Sequence, residues 1–201
     1  MIDFEYAAAT TVDEAVSLLA ARGERARLLA GGTDLLVQLQ HGQFTADLVV
    51  DVKRIAELNE LRIDDRGCYL GAAVPAYRVY ESAAAMQDYT ALCDAARIIG
   101  GWQIQSRASI GGNLCNASPA ADSTPALLAL GAECLIAGPK GRRTIAVEQF
   151  CTAPGRCVLE RGELLVALEL PPPGRGAGSA YERFIPRNEM DIAVVGVATL
   201  V

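Results

Sequence analysis

One histidine, one tryptophan and an aromatic content of 5% are what this 201-residue chain has least of. With His41 as its only histidine, it shows no Ser-His-Asp set, no metal-ligand cluster and no general base in an obvious context. No two cysteines form a C-x-x-C pair. Cys68, Cys93, Cys115, Cys134, Cys151 and Cys157 are dispersed, which excludes an iron–sulfur cluster held by this chain, because a cluster needs several closely spaced thiolates. The start Met1-Ile2-Asp3-Phe4-Glu5 lacks the basic region and apolar core of a signal peptide, so the cysteines read as reduced thiols of a cytoplasmic protein. No run of Lys or Arg exceeds two residues and the net charge is −6, which speaks against nucleic-acid binding. The longest uncharged apolar run, Ile192–Val201, is too short to span a bilayer. There is no internal repeat and no low-complexity tract.

What the chain does have is core material, with 51% hydrophobic and 21% charged residues, a globular composition. Thr11-Val12-Asp13-Glu14 is a capping-box pattern that opens a helix, and Gly23 is its natural stop. A strand at Arg27–Ala30, a helix at Asp34–Gln40 and a strand at Leu48–Val52 imply a parallel βαβ crossover. Strands follow at Leu61–Ile63 and Cys68–Ala72, then helices at Tyr77–Ala85 and Tyr89–Gly100. Thr124 reads as the cap of a helix Pro125–Leu130, ended by Gly131. Glu133–Ala137 and Arg142–Ala146 read as a hairpin, and Leu164–Leu170 as a further strand. Pro171–Ser179 is the one clear linker; beyond it Tyr181–Ile185 and Ile192–Val201 are strand-like with little to pack against. Trp102 reads as half-buried packing and His41 as a surface residue.

Two glycine stretches stand apart from this pattern. In Ser109–Asp122, Gly111-Gly112 permits positive φ and close backbone approach, with Asn113 and Asn116 adding amide groups and Asp122 a carboxylate. In Ala30-Gly31-Gly32-Thr33-Asp34 a strand feeds a helix start, where free N–H groups favour an anion such as phosphate. Each has a plain structural alternative. Asp34 and Asp122 suit helix caps, and Gly111-Gly112 suits an ordinary turn.

Together, Leu28–Leu35 and Ser109–Asp122, with Gly162-Glu163-Leu164-Leu165 and Tyr181-Glu182-Arg183, resemble the FAD-binding subunit of molybdenum-containing hydroxylases. That family includes xanthine dehydrogenase and aerobic carbon monoxide dehydrogenase. The resemblance implies an α+β fold of two α/β subdomains: residues 1–57 with a small parallel βαβ sheet, and 58–170 with a larger mixed or antiparallel sheet. Residues 171–179 would be a linker, and 180–201 the start of a C-terminal α+β domain, here apparently truncated.

The resemblance also implies FAD held by Leu28, Leu29, Ala30, Gly31, Gly32, Thr33, Asp34 and Leu35 from one side. Ser109, Ile110, Gly111, Gly112 and Asn113 would hold it from the other. Asp122 would contact the cofactor, Ile99 and Leu165 would lie at the flavin, and Arg183 falls within a one-residue adjustment of a basic position of the family. Leu165 is equally well explained as a core strand residue. The molybdenum cofactor and [2Fe-2S] clusters would belong to a large and a small partner subunit, with NAD or another acceptor taking the electrons. The rival readings are a stand-alone flavoenzyme resembling enolpyruvyl-sugar reductase and a non-catalytic scaffold that has lost its flavin.

Overall fold

The computed structural model describes residues 3–187 and 190–201. Met1, Ile2, Asn188 and Glu189, which the sequence reading counts in its first and last segments, lie outside the described residues. The first unit runs β1 (Glu5–Ala8), α1 (Val12–Arg22), β2 (Ala26–Leu29), α2 (Leu35–Gln40) and β3 (Leu48–Asp51). Its three strands form a parallel sheet in the order β1-β3-β2. β3 is central because every one of its residues is buried, as a strand covered on both faces requires. Thr11 caps α1 by accepting from the Glu14 N–H at 3.1 Å, and Gly23 ends it at a φ of 59°. The expected βαβ crossover is present. β1 was not foreseen, since Glu5-Tyr6-Ala7-Ala8 has no apolar alternation; its pairing with β3 makes it a strand, helped by the Tyr6 hydroxyl, which donates to Asp51 at 2.6 Å.

The second unit holds β4 (Leu61–Asp64), β5 (Gly67–Gly71), α3 (Ala76–Tyr80), α4 (Ala83–Asp88), α5 (Thr90–Ile98), α6 (Trp102–Gln105), α7 (Ile110–Asn116) and α8 (Ser123–Ala129). It continues with β6 (Glu133–Gly138), β7 (Gly141–Ala146), β8 (Cys151–Ala153), β9 (Arg156–Cys157) and β10 (Leu164–Leu170). Five of these strands form an antiparallel sheet ordered β4-β5-β10-β6-β7. β10 joins the two halves. Leu164 and Val166 pack with α1 and β3, whereas Leu165, Leu168 and Leu170 pack with the helices of the second unit. A bulge between Leu165 and Ala167 shifts the alternation, which is how Leu165 and Leu168 come to share one face.

Several expectations need correction. The single helix expected over Tyr77–Ala85 is two, α3 and α4, separated where Ser82 accepts from the Ala85 N–H at 3.3 Å and starts a new helix. Thr124 lies inside α8, which starts at Ser123, and so does not cap it. Trp102 is 85% exposed rather than half-buried. The short α6 is anchored instead by buried Gln105, which accepts from the Tyr80 hydroxyl at 2.8 Å and donates to the Arg97 carbonyl at 2.5 Å. The last segments, β11 (Ser179–Phe184) and β12 (Val195–Leu200), pair antiparallel with each other and do have packing partners. Tyr181 is buried in the main core, Ala198 packs against it, and the Thr90 hydroxyl of α5 bonds the Ser179 carbonyl.

The main revision concerns Gly111-Gly112. Both lie in the first turn of α7, and neither has the positive φ expected of a turn. Gly111 is required for packing: a Cβ there would stand 2.6 Å from the Cα and the carbonyl oxygen of Ala72. Gly111→Val should therefore lower stability by at least the roughly 1–3 kcal/mol typical of an overpacked core. Gly112→Ala, whose Cβ meets only the Ser109 hydroxyl at 2.9 Å, should cost less. Urea unfolding midpoints of the two variants measure the difference.

Candidate functional site

A cavity of about 450 Å³ opens between the two units. One wall is the turn after β2, Ala30–Asp34, with Leu35 and Gln38 of α2. The facing wall is Ser109 and the first turns of α7, and the floor is apolar, made by Ala72, Ala73, Ile99, Ile104, Leu159 and Leu165. The walls meet backbone to backbone. A Cβ on Gly31 would fall 1.8 Å from the carbonyl oxygen of Arg107, so only glycine lets the first loop close on the second. Gly32 has a φ of 76°, which turns the chain back into α2.

The polar groups of the cavity are fixed from behind. The Ser109 hydroxyl caps α7 by accepting from the Gly112 N–H at 3.0 Å. The Ser123 hydroxyl donates to Asn113 Oδ1 at 2.6 Å, which sets the side-chain amide and leaves its NH2 group for the cavity. Gln38 donates to Asn116 at 3.1 Å, and Asn116 donates to the Asp34 carboxylate at 3.3 Å, so a chain of side chains ties α2 to α7 across the rim. Asp34 makes no capping bond to α2. Lost hydration against the cavity walls holds its carboxyl above the ordinary aspartate value, although the residue still reaches solvent. Arg27 contributes to the lining, while its guanidinium donates to the Glu24 and Ala26 carbonyls and lies 5.0 Å from the Phe44 ring centre.

The structure thus gathers Leu28, Ala30, Gly31, Gly32, Thr33, Asp34, Leu35, Ile99, Ser109, Gly111, Gly112, Asn113 and Leu165 around one space. Four of the expected residues do not line it. Leu29 packs into a small cluster with Leu39 and Val49, and Ile110 is fully buried in the main core. Asp122 and Arg183 pair with each other at 3.0 Å, and the Tyr181 hydroxyl donates to the same carboxylate at 3.0 Å. Asp122 makes no capping bond to α8; it latches the β11–β12 hairpin onto that helix. Burial and the neighbouring Asp122 both push the Tyr181 phenol well above its ordinary value. Lining residues that the sequence did not assign to the cofactor include Arg27, Gln38, Ile104, Cys115, Asn116 and Leu159. Asn116 was signalled by its place in the glycine-asparagine stretch; Ile104 and Leu159 carry no local sign. Among the described residues, no group of three or more His, Cys, Asp or Glu is arranged to hold a metal ion, and no helix is long and apolar enough to cross a membrane.

Residues 2–173 match the family model described as the FAD binding domain in molybdopterin dehydrogenase. The chain is 38% identical over 201 residues to the xanthine dehydrogenase FAD-binding subunit of Escherichia coli O157:H7, covering 98% of this chain and 68% of that one. It is 32% identical over 197 residues to the carbon monoxide dehydrogenase medium chain of Hydrogenophaga pseudoflava, again 98% and 68%. The fold superposes with a TM-score of 0.94 and 32% identity on a carbon monoxide dehydrogenase structure from Hydrogenophaga pseudoflava, covering all of this chain and 70% of that one. A quinoline 2-oxidoreductase structure from Pseudomonas putida 86 gives a TM-score of 0.92 at 26% identity, covering 98% and 68%.

The latch of Asp122, Tyr181 and Arg183 can be tested directly. Their ion pair is nearly enclosed, with side chains 10% and 12% exposed, so removing one member strands the other. Asp122→Ala should cost about 3 kcal/mol in chemical denaturation. Tyr181→Phe should cost about 1 kcal/mol, the ordinary value of one hydrogen bond. In limited proteolysis Asp122→Ala should be cut faster than the parent chain within Pro171–Gly178.

Proposed function

This chain belongs to the family of FAD-binding domains of molybdopterin dehydrogenases, and on that premise we propose that it is the FAD-carrying electron-transfer subunit of a multi-subunit molybdenum hydroxylase. In this reading a large partner oxidises the substrate at a molybdenum cofactor, and a small partner delivers electrons through iron–sulfur clusters. NAD or another acceptor receives them. The domain plan we propose keeps residues 1–57 and 58–170 as the two FAD-binding subdomains, 171–179 as linker and 180–201 as the beginning of a C-terminal domain.

The observation that carries the proposal is the bare-backbone closure of the two glycine segments around one cavity. Its residues fit the group. Gly31 and Gly32 leave N–H groups uncovered by side chains beside Thr33, Asp34 and Leu35, which suits a diphosphate. Ser109, Gly112 and Asn113 face them, with the Asn113 amide already oriented by Ser123. Ile99, Ile104, Leu159 and Leu165 offer an apolar surface to a ring system and exclude water from it. Leu29 and Ile110 act behind the wall, holding β2 and α7 in place. Asp122 and Arg183 act through the hairpin latch. Bound FAD would supply reversible electron uptake and release, while this chain contributes placement and electrostatics.

Titration of the flavin-free chain with FAD, followed by flavin fluorescence, should give one site per chain. Riboflavin, which lacks the diphosphate, should bind much more weakly. Asn113→Ala removes one donor worth about 0.5–1.5 kcal/mol, a loss of roughly two- to tenfold in FAD affinity. It also leaves the buried Ser123 hydroxyl without its acceptor, which should lower stability by about 1–3 kcal/mol and the unfolding midpoint with it. Equal affinity for FAD and riboflavin would sink the assignment of the glycine segments to the diphosphate.

A further inference from the structure

The hairpin β8–β9 braces the back of α7. The Gly155 N–H donates to the Ala117 carbonyl at 2.9 Å, and the Cys151 thiol approaches the Leu114 carbonyl at 3.7 Å. Two cysteines face each other across this hairpin, since the register pairs Cys151 with Cys157. The Val158 N–H donates to the Phe150 carbonyl at 2.9 Å, so the cysteine pair next to it falls at the alternate, non-hydrogen-bonded position. At such positions opposed Cα atoms lie about 4.5 Å apart and side chains are closest. A disulfide bridges Cα atoms about 4.4–6.8 Å apart, a range that includes this spacing, and the irregularity in the register falls beyond the pair, between Cys151 and Ala153.

We propose that Cys151 and Cys157 are a redox modification site, a dithiol that a hydroperoxide closes into a cross-strand disulfide. One thiolate attacks the peroxide oxygen, giving a sulfenic acid and releasing the alcohol, or water from hydrogen peroxide. The second thiol then attacks that sulfur, the S–S bond forms and water leaves. Two thiols are oxidised by two electrons and one peroxide is reduced, so the step balances. Selectivity follows from burial. Cys68, Cys93 and Cys134 are enclosed, and burial pushes their thiols up to about 12, 11 and 12, where little thiolate exists. Cys151 and Cys157 are half-buried and within reach of a small oxidant. Cys115 is the nearest competitor; it lines the cavity, and Cys157 is the first of the thiols whose proximity adds to its burial-raised value. It is placed on a helix, however, and not opposite Cys157 in the strand register.

The reduced 201-residue chain is treated with hydrogen peroxide, alkylated at its remaining thiols and digested with trypsin. Cleavage after Arg156 separates the two cysteines, so the disulfide would hold peptide Thr144–Arg156 to peptide Cys157–Arg161. The expected result is loss of two of the six alkylatable thiols, with this linked pair as the product and reversal by dithiothreitol. Cys151→Ser and Cys157→Ser should each abolish the link, and Cys115→Ser should keep it. A link through Cys115, links between chains, oxygen added to thiols without any link, or full alkylation of all six would each overturn the proposal.

Discussion

Where Gly31 meets the Arg107 carbonyl, two backbones approach more closely than any side chain would allow, and the cavity depends on that approach. The first loop belongs to a unit built on a parallel sheet, and the second to a unit built on an antiparallel one. Nothing in either sheet alone would create a concave site. Gly111 repeats the same device one layer deeper, pressing α7 onto Ala72 at the end of β5. The glycines therefore serve two ends with one property. Lacking Cβ atoms, they let the units dock, and the same bareness leaves N–H groups open to the space between them.

Much of the fold was legible because both sheets follow their hydrophobic pattern. Leu48–Val52 and Leu164–Leu170 read as strands, and they are the buried central strands of their sheets. The misses have local causes. β1 gains its extended form from pairing with β3, a partner distant in sequence, and not from its own residues. The break between α3 and α4 turns on Ser82, whose capping role competes with a run of good helix formers on either side. α7 was hidden because two glycines in a first turn look like a loop, while burial of Ile110 and Leu114 holds the helix in place.

The site was legible where its chemistry is contiguous and opaque where it is assembled. The two glycine segments could be found by inspection, and the structure brings them together. Ile104 and Leu159 could not, since an aliphatic residue has no mark that separates a cavity wall from a core. Asp122 shows a different limit. A carboxylate just before a helix suits a cap or a ligand contact, and neither reading foresees its pairing with Tyr181 and Arg183, brought over from the far hairpin.

Trp102 is the only indole in the chain and is 85% exposed. It begins α6, the turn that supplies Ile104 to the cavity floor. Its emission therefore reports on one place rather than on an average over the molecule. In the isolated chain it will fluoresce at the long wavelengths of a hydrated indole and be readily quenched by iodide. Any surface that covers this edge, whether another subunit or a further part of a longer polypeptide, will shift that emission to the blue and shield it. The chain thus carries a built-in optical probe of contacts beside the cavity.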